Sequence, residues 1–246
     1  MHNTLRIATF NIHKGVTSFN ARLVLREQRE LIRRLQADIV FLQEVRGAHS
    51  RHRHLFEGGQ HEYLADSIWQ DFAYGKNAVY PAGHHGNALL SRFPIAKWEN
   101  EDISAHHVEQ RGMLHCEIDI PGWQQPLHCI CVHLGLFARW RRQQLVALRR
   151  RIESLVPAHA PLIIAGDFND WRHKVDHVLA EGLHLREVFE LSQGRPARSF
   201  PSILPMFRLD RIYVRGFHVR HTHVHGGVDF AKVSDHAALS AEIVRL

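Results

Sequence analysis

Three short segments place residues able to handle a phosphate at the ends of apolar runs. In Ile163-Ile164-Ala165-Gly166-Asp167-Phe168-Asn169-Asp170 a strand-like run leads into Gly-Asp-Phe-Asn. Gly166 permits a sharp exit from the strand. Asp167 and Asn169, two residues apart, share one side if the backbone stays extended. A charged acceptor beside a neutral amide can serve both a metal ion and a phosphate oxygen, although an Asx-turn capping a helix uses the same residues. In Val233-Ser234-Asp235-His236-Ala237-Ala238-Leu239 a histidine stands beside an aspartate at a strand start. An ordinary pKa of about 6.5 suits that histidine to general-base work with an orienting acid; a polar turn before a strand is the plainer alternative. In Val40-Phe41-Leu42-Gln43-Glu44-Val45 a carboxylate ends a fully apolar strand. Burying it unpaired is costly, so it should face a site. Thr9-Phe10-Asn11-Ile12, Cys131-Val132-His133-Leu134-Gly135 and Leu209-Asp210-Arg211-Ile212 repeat the pattern. Strand ends thus offer Asn11, Glu44, His133, Asp167, Asn169, Asp210, Asp235 and His236 in chain order.

The elements that must position these residues are read from hydrophobic periodicity. Strands are expected at Leu5–Phe10, Ile39–Gln43, Ala78–Tyr80, Asn87–Ser91, Met113–Ile120, Leu127–Leu134 and Leu162–Ala165, and at about 209–214, 217–224 and 237–244. Amphipathic helices are expected over Leu23–Leu35 and Trp140–Val156, with shorter ones over Glu62–Gln70 and His173–Ala180. The stretch 192–208, rich in Arg, Pro and Ser, reads as a surface loop. Helices interspersed with hairpin-like strands argue for mixed sheets with helices outside them. A helix followed by a buried strand ending in an acid occurs twice, at Glu44 and at Asp167, which suggests two similar halves facing each other. No Gly/Ser linker divides the 246 residues, so one domain over 1–246 is expected.

Composition narrows the class. Hydrophobic residues make up 45% and charged residues 23%, which excludes a disordered, collagenous or coiled-coil chain. Apolar runs fall well short of the ~18 residues of a membrane span. No leader is read ahead of the first strand, and three cysteines make no disulfide framework, so a cytoplasmic setting is expected. The formal charge of +6 favours phosphate-bearing partners, in nucleic acid or on an anionic lipid surface. Only five of the 31 basic residues are lysine, and arginine's planar fork suits phosphate.

The segments TFNIHKG, FLQEV, GNALLSRFPI, Arg111-Gly112, VHLG, AGDFND, LDRIYV and SDHAAL, spanning positions 9 to 239, resemble those of the endonuclease/exonuclease/phosphatase superfamily, and most of all its compact bacterial branch. The resemblance implies a deoxyribonuclease-like α/β fold, a four-layer α/β/β/α sandwich of two facing mixed β-sheets, with one site at the sheet mouths. It implies Glu44 as main metal ligand, with Asn11 beside it and Asp235 as a second ligand or orienting acid. Asp167 and Asn169 would hold the nucleophile and a phosphate oxygen, and His133 and Arg111 would contact phosphate. His236 would be the base or phosphate-facing histidine, paired with Asp210. Where deoxyribonuclease has an acid partnering His133, this chain reads Gly86-Asn87-Ala88. The implied activity is a divalent-metal-dependent phosphoesterase that hydrolyses phosphodiester bonds. Its nominal substrate is nucleic acid, with a phospholipid or other small phosphodiester at an anionic membrane surface as the alternative. Carboxylates with amide neighbours suit Mg²⁺ or Mn²⁺. The protein is expected to be monomeric, with no obligate protein partner.

Other features have plainer readings. His221, His223 and His225 share a strand face, which is more often an exposed face than a metal patch. Cys129 and Cys131 read as small buried hydrophobes. Arg139-Trp140-Arg141-Arg142 and Arg149–Arg151 read as a solvated helix face with Trp140 packed inward, or as a basic surface for nucleic acid or anionic lipid. The run His49–His54 reads as a polar loop that could rim the site.

Overall fold

A computed structural model describes residues 2–17, 22–49, 59–65, 68–171, 179 and 182–246. The strands are β1 (Thr4–Asn11), β2 (Ile39–His49), β3 (Asp71–Tyr80), β4 (Gly83–Ser91), β5 (Ile95–Asp102), β6 (Gly112–Ile118), β7 (Leu127–His133), β8 (Leu162–Asp167), β9 (Arg186–Glu187), β10 (Asp210–Arg215), β11 (Phe217–His225) and β12 (Ala238–Arg245). The described helices are α1 (Leu25–Arg34), α2 (Gln60–Ala65), α3 (Ala138–Leu155), α4 (Val188–Gln193) and α5 (Val228–Ala231). The helix expected over His173–Ala180 and the run 50–54 lie outside the described residues, except for Leu179.

Two six-stranded mixed sheets form, in the orders β11-β12-β1-β2-β4-β3 and β5-β6-β7-β8-β10-β9. Their wiring is the same. In each, two strands separated by a helix (β1 and β2, β7 and β8) pair in parallel, and the flanking strands are antiparallel. The repeated helix–strand–acid pattern is the sequence trace of these two halves.

Alternation along each strand assigns its side chains to layers. Ile7, Ile39, Phe41, Leu239 and Ala241 of the first sheet meet Leu114, Cys116, Cys129, Ile163, Ala165 and Ile212 of the second in one buried core. The alternate residues Ala8, Phe10, Val40 and Leu42 pack outward against Leu25, Leu31 and Ile32 of α1 and Leu64 of α2. Ile130, Val132, Leu162 and Ile164 pack outward against Leu145, Leu148 and Ile152 of α3. Three apolar interfaces between four layers give the expected α/β/β/α sandwich. Among the described residues no helix is long and apolar enough to cross a membrane.

Several elements depart from the sequence reading. β5 has no apolar alternation because it is an edge strand with mostly exposed side chains, and only pairing to β6 marks it as a strand. Its charges suit an unpaired edge. Arg151 of α3 ties to its Glu99 and Glu101. In α3 it is Arg141 that turns inward, donating to the carbonyls of Gly135 and Leu136 at 3.0 and 2.6 Å. Trp140 stays half-buried, stacked on His106. Cys129 and Cys131 are buried, and burial pushes both thiols well up, as small hydrophobes should behave. His221 and His223 are exposed, and His225 pairs with Ser240 Oγ at 2.7 Å.

Candidate active site

The inward-facing rows of both sheets turn polar at one end. On β1 the row Ile7, Thr9 continues to Asn11; on β8 the row Ile163, Ala165 continues to Asp167. On β7, Cys129 and Cys131 lead to His133, and on β10 the same face ends in Asp210. Strand register aligns the ends: His133 pairs with Asp167 across β7–β8, and Asp210 with Asp167 across β8–β10. Asn11 pairs with Gln43 in the other sheet. The mouth between the sheets is bridged directly, Asn11 Nδ2 donating to Asp167 Oδ2 at 3.2 Å.

Gly166 does not start the exit from β8. It stays within the strand at φ 149°, and a Cβ there would lie 1.9 Å from the Val132 carbonyl oxygen. Glycine is therefore needed for β7 to approach β8 at this level. The turn comes later, at Asn169, whose φ is 47°. Asn169 donates from its backbone to Asp167 Oδ1 at 2.9 Å and from Nδ2 to the Leu134 carbonyl at 2.9 Å.

Glu44 reaches the site through a bulge. Leu42 pairs with Ala88 and Val45 with Gly86, so Gln43 and Glu44 together face Asn87. Glu44 has φ 58°, and the extra residue turns its side chain away from the outer face that Leu42 and Val45 share. A bulge re-aims a side chain in this way beside many active sites. Such left-handed backbone in a residue other than glycine stores strain that the surrounding structure must hold.

His236 is oriented twice. Its backbone donates to Ser234 Oγ at 3.1 Å, and Ser234 Oγ donates to the Asn11 carbonyl at 2.7 Å. Its Nδ1 shares a 2.8 Å hydrogen bond with Asp210 Oδ2, and its Nε2 lies 3.7 Å from Asp167 Oδ2. Burial opposes a charge on His236, but Asp210 and then Asp167 push its pKa up to about 10. Burial raises Asp167, held down by His236 and pushed up by Asp210, to about 6. Burial, then the nearby charge of Arg111, keeps His133 neutral, well below the usual histidine range. His133 Nε2 is 3.6 Å from Asp167 Oδ2, beyond hydrogen-bond reach. Asn87, at the position that the resemblance gives to an acid partner of His133, donates instead to the Gly112 and Cys131 carbonyls at 3.0 and 3.2 Å.

His13 and Lys14 of NIHKG and His85, just before GNALLS, also stand at the site, although no strand-end pattern marks them. Lys14 Nζ lies 3.4 Å from Glu44 Oε2, and His13 Nδ1 lies 3.2 Å from Asp235 Oδ1. Burial opposes ionisation of Glu44, yet Lys14, His13 and His236 hold its carboxyl below the ordinary range. Asp235 is likewise held down, against burial, by His13 and His236. Burial lowers His85 to about 4 against the pull of Glu44. Arg111 faces His133, but its guanidinium is engaged by Glu109 Oε1 at 3.1 Å and by the Leu134 carbonyl at 3.3 Å.

The donor set fits a hard divalent cation. Glu44 Oε2 and Asp210 Oδ1 are buried and accept no hydrogen bond from the described residues. Carboxylate oxygens of Asp167 and Asp210 lie within 4.8 Å of each other. Carboxylate and amide oxygens at this density match Mg²⁺ or Mn²⁺ better than softer metals.

A model of the endonuclease/exonuclease/phosphatase family matches residues 8–236. The chain belongs to that family. It is 48% identical over 244 residues to the uncharacterized protein YbhP of Escherichia coli (strain K12), covering 98% of this chain and 96% of that one. The endonuclease/exonuclease/phosphatase structure from Beutenbergia cavernae superposes with a TM-score of 0.78 at 20% identity, over 99% of this chain and 72% of that one. D. rerio TDP2 complexed with a single-strand DNA product superposes at 0.73 and 20% identity, over 98% of each chain. At that identity the likeness shows the fold. Members of the family are hydrolases acting on phosphoesters and depend on a divalent metal.

Proposed function

We propose that the protein is a metal-dependent phosphodiesterase whose site is the mouth between the two sheets. The observation that carries this reading is the alignment of His133, Asp167 and Asp210 in one row, joined to Asn11 of the opposite sheet through Asp167. Glu44, with Asn11 and Asp235 beside it, would hold Mg²⁺ or Mn²⁺; Asp167 and Asp210 are the neighbouring carboxylates. A bound ion neutralises phosphoryl oxygens and lowers the pKa of a coordinated water.

The protein's own groups divide the remaining work. Asp167 and Asn169 position the attacking water, and Asp167, titrating near about 6, accepts its proton at neutral pH. His236, protonated and fixed by Asp210, donates to a phosphate oxygen; of its two expected roles the charge state supports the phosphate-facing one. Neutral His133 donates from the opposite side. Arg111 acts from its bond to Glu109 as a fixed positive charge. Nucleic acid is the first substrate to test, since the chain is basic and D. rerio TDP2 was crystallised with DNA. We further read the chain as one domain, monomeric and cytoplasmic.

The test is a panel of single- and double-stranded DNA, RNA, phospholipid and bis-p-nitrophenyl phosphate, each with Mg²⁺, Mn²⁺ or EDTA. Metal-dependent cleavage of at least one diester supports the reading. Absence of metal-dependent cleavage of every one of these diesters overturns it.

A further inference from the structure

The rim of the mouth is apolar and exposed, which catalysis does not explain. After β8, Trp171 follows the site residue Asn169 and is 40% exposed. It packs edge-on against Phe207, itself 40% exposed, with centroids 4.9 Å apart. Phe200 stands between this pair and the site, its ring 5.1 Å from that of His236. The loop carrying Phe200 and Phe207 presents Ile203 at 66% exposure and Leu204 at 67%. After β7, the parallel neighbour of β8, Leu136 and Phe137 are 55% and 61% exposed. Parallel strands end on the same side, so both groups flank one opening.

The exposure is built in. Ser202 Oγ donates to the Ser234 carbonyl at 2.6 Å and Ser202 N to the Asp235 carbonyl at 2.7 Å. Ala237 N donates to the Ser199 carbonyl at 2.7 Å. The base of the loop is thus clamped to the segment bearing His236, while its aliphatic tip points outward. Arg195 and Arg198 on the same loop are exposed, and Arg208 at its end is half-buried. Besides burial, the charges of Arg198 and Arg195 disfavour protonation of Arg208, so positive charge is concentrated there.

We propose that this rim docks on an anionic lipid surface, bringing a headgroup phosphodiester to the mouth. Aliphatic tips on a loop that also carries exposed arginines match a bilayer interface, where apolar side chains enter the acyl boundary and cations meet lipid phosphates. A nucleic acid offers Ile203 and Leu204 nothing to bury against, since bases are held by aromatic faces and hydrogen bonds. The inference rests on the phosphodiesterase reading for its catalytic meaning, but the docking itself is measured without turnover.

The experiment is co-sedimentation in 0.1 M NaCl with vesicles of equal parts phosphatidylglycerol and phosphatidylcholine, with pure phosphatidylcholine vesicles, and with a single-stranded oligonucleotide followed by anisotropy. Wild type is compared with Ile203→Glu/Leu204→Glu and with Arg195→Gln/Arg198→Gln. Expected are preference for the anionic vesicles and at least about tenfold weaker partitioning of the Ile203/Leu204 variant. Arginine replacement should weaken binding to the anionic vesicles and leave binding to pure phosphatidylcholine unchanged. Hydrolysis of bis-p-nitrophenyl phosphate should stay unchanged in both variants, which also checks folding. Absence of vesicle binding, or equal binding by wild type and the Ile203/Leu204 variant, overturns the proposal. Loss of oligonucleotide binding with vesicle binding intact overturns it in favour of nucleic acid. Failure of wild type to hydrolyse any diester removes the phosphodiesterase reading and leaves the docking result standing.

Discussion

Replacing Asp210 with asparagine keeps the volume and one acceptor but removes the charge that sits 2.8 Å from His236 Nδ1. At that separation and an effective dielectric of about 20, the pair interacts by about 6 kcal/mol, or about four pKa units. His236, pushed up to about 10 in the native site, should therefore titrate near about 6 in Asp210→Asn. It would be mostly neutral at pH 8, and turnover should fall by at least about a hundredfold. The direct assay is the NMR titration of the His236 ring in metal-free protein, beside a pH–rate profile. The stability consequence has a definite sign. A raised folded pKa stabilises fully below the unfolded value of about 6.5, and the benefit disappears as pH rises towards about 10. The wild-type advantage over the variant in urea denaturation should thus be larger at pH 6 than at pH 10. A His236 midpoint still above about 9 in the variant, or undiminished turnover, would refute the reasoning.

Further outcomes follow from single contacts. Gly166→Ala should cost at least about 3 kcal/mol in chemical denaturation, because the new Cβ meets the Val132 carbonyl oxygen 1.9 Å away and the backbone sits at positive φ. Glu44→Gln should weaken Mn²⁺ binding by at least about tenfold in calorimetry and reduce the Mn²⁺-induced rise in melting temperature; equal affinity would remove Glu44 from the ion site. Burial depresses His61 to about 4 and His115 to about 3. Their contribution to stability is present above the unfolded value of about 6.5 and is lost as pH falls, at about 1.4 kcal/mol per pH unit for each. His115→Gln should flatten that acid limb in denaturation measured from pH 7 to pH 4.

The layer structure was legible because the central strands of both sheets are buried on both faces, so apolar runs such as Val40–Leu42 and Ile163–Ala165 stand out, and the polar residue ending each run lies in the mouth. β5 escaped notice because an exposed edge needs no apolar alternation. The sequence pointed to Glu44 but not to the bulge that brings it inward, since two residues facing Asn87 is a matter of pairing rather than composition. Gly166 invited a different explanation, because only the neighbouring β7 carbonyl reveals why no side chain fits. His13 and Lys14 carried no strand-end signal; they reach the acids from a short 3₁₀ turn, which periodicity does not mark. Arg141 looked like part of a solvated face until the carbonyls of Gly135 and Leu136 supplied its partners.

The most direct measurement is hydrolysis of bis-p-nitrophenyl phosphate by wild type and by Asp167→Asn, each with Mn²⁺ and with EDTA. Asp167 joins both sheets at the mouth: Asn11 lies at 3.2 Å, the Asn169 backbone at 2.9 Å, and the imidazoles of His133 and His236 within 4 Å. Wild type should turn over only with the metal, and the variant should lose at least about a hundredfold while remaining folded. Turnover that survives EDTA, or that Asp167→Asn leaves near the wild-type rate, would contradict a catalytic centre between the sheets.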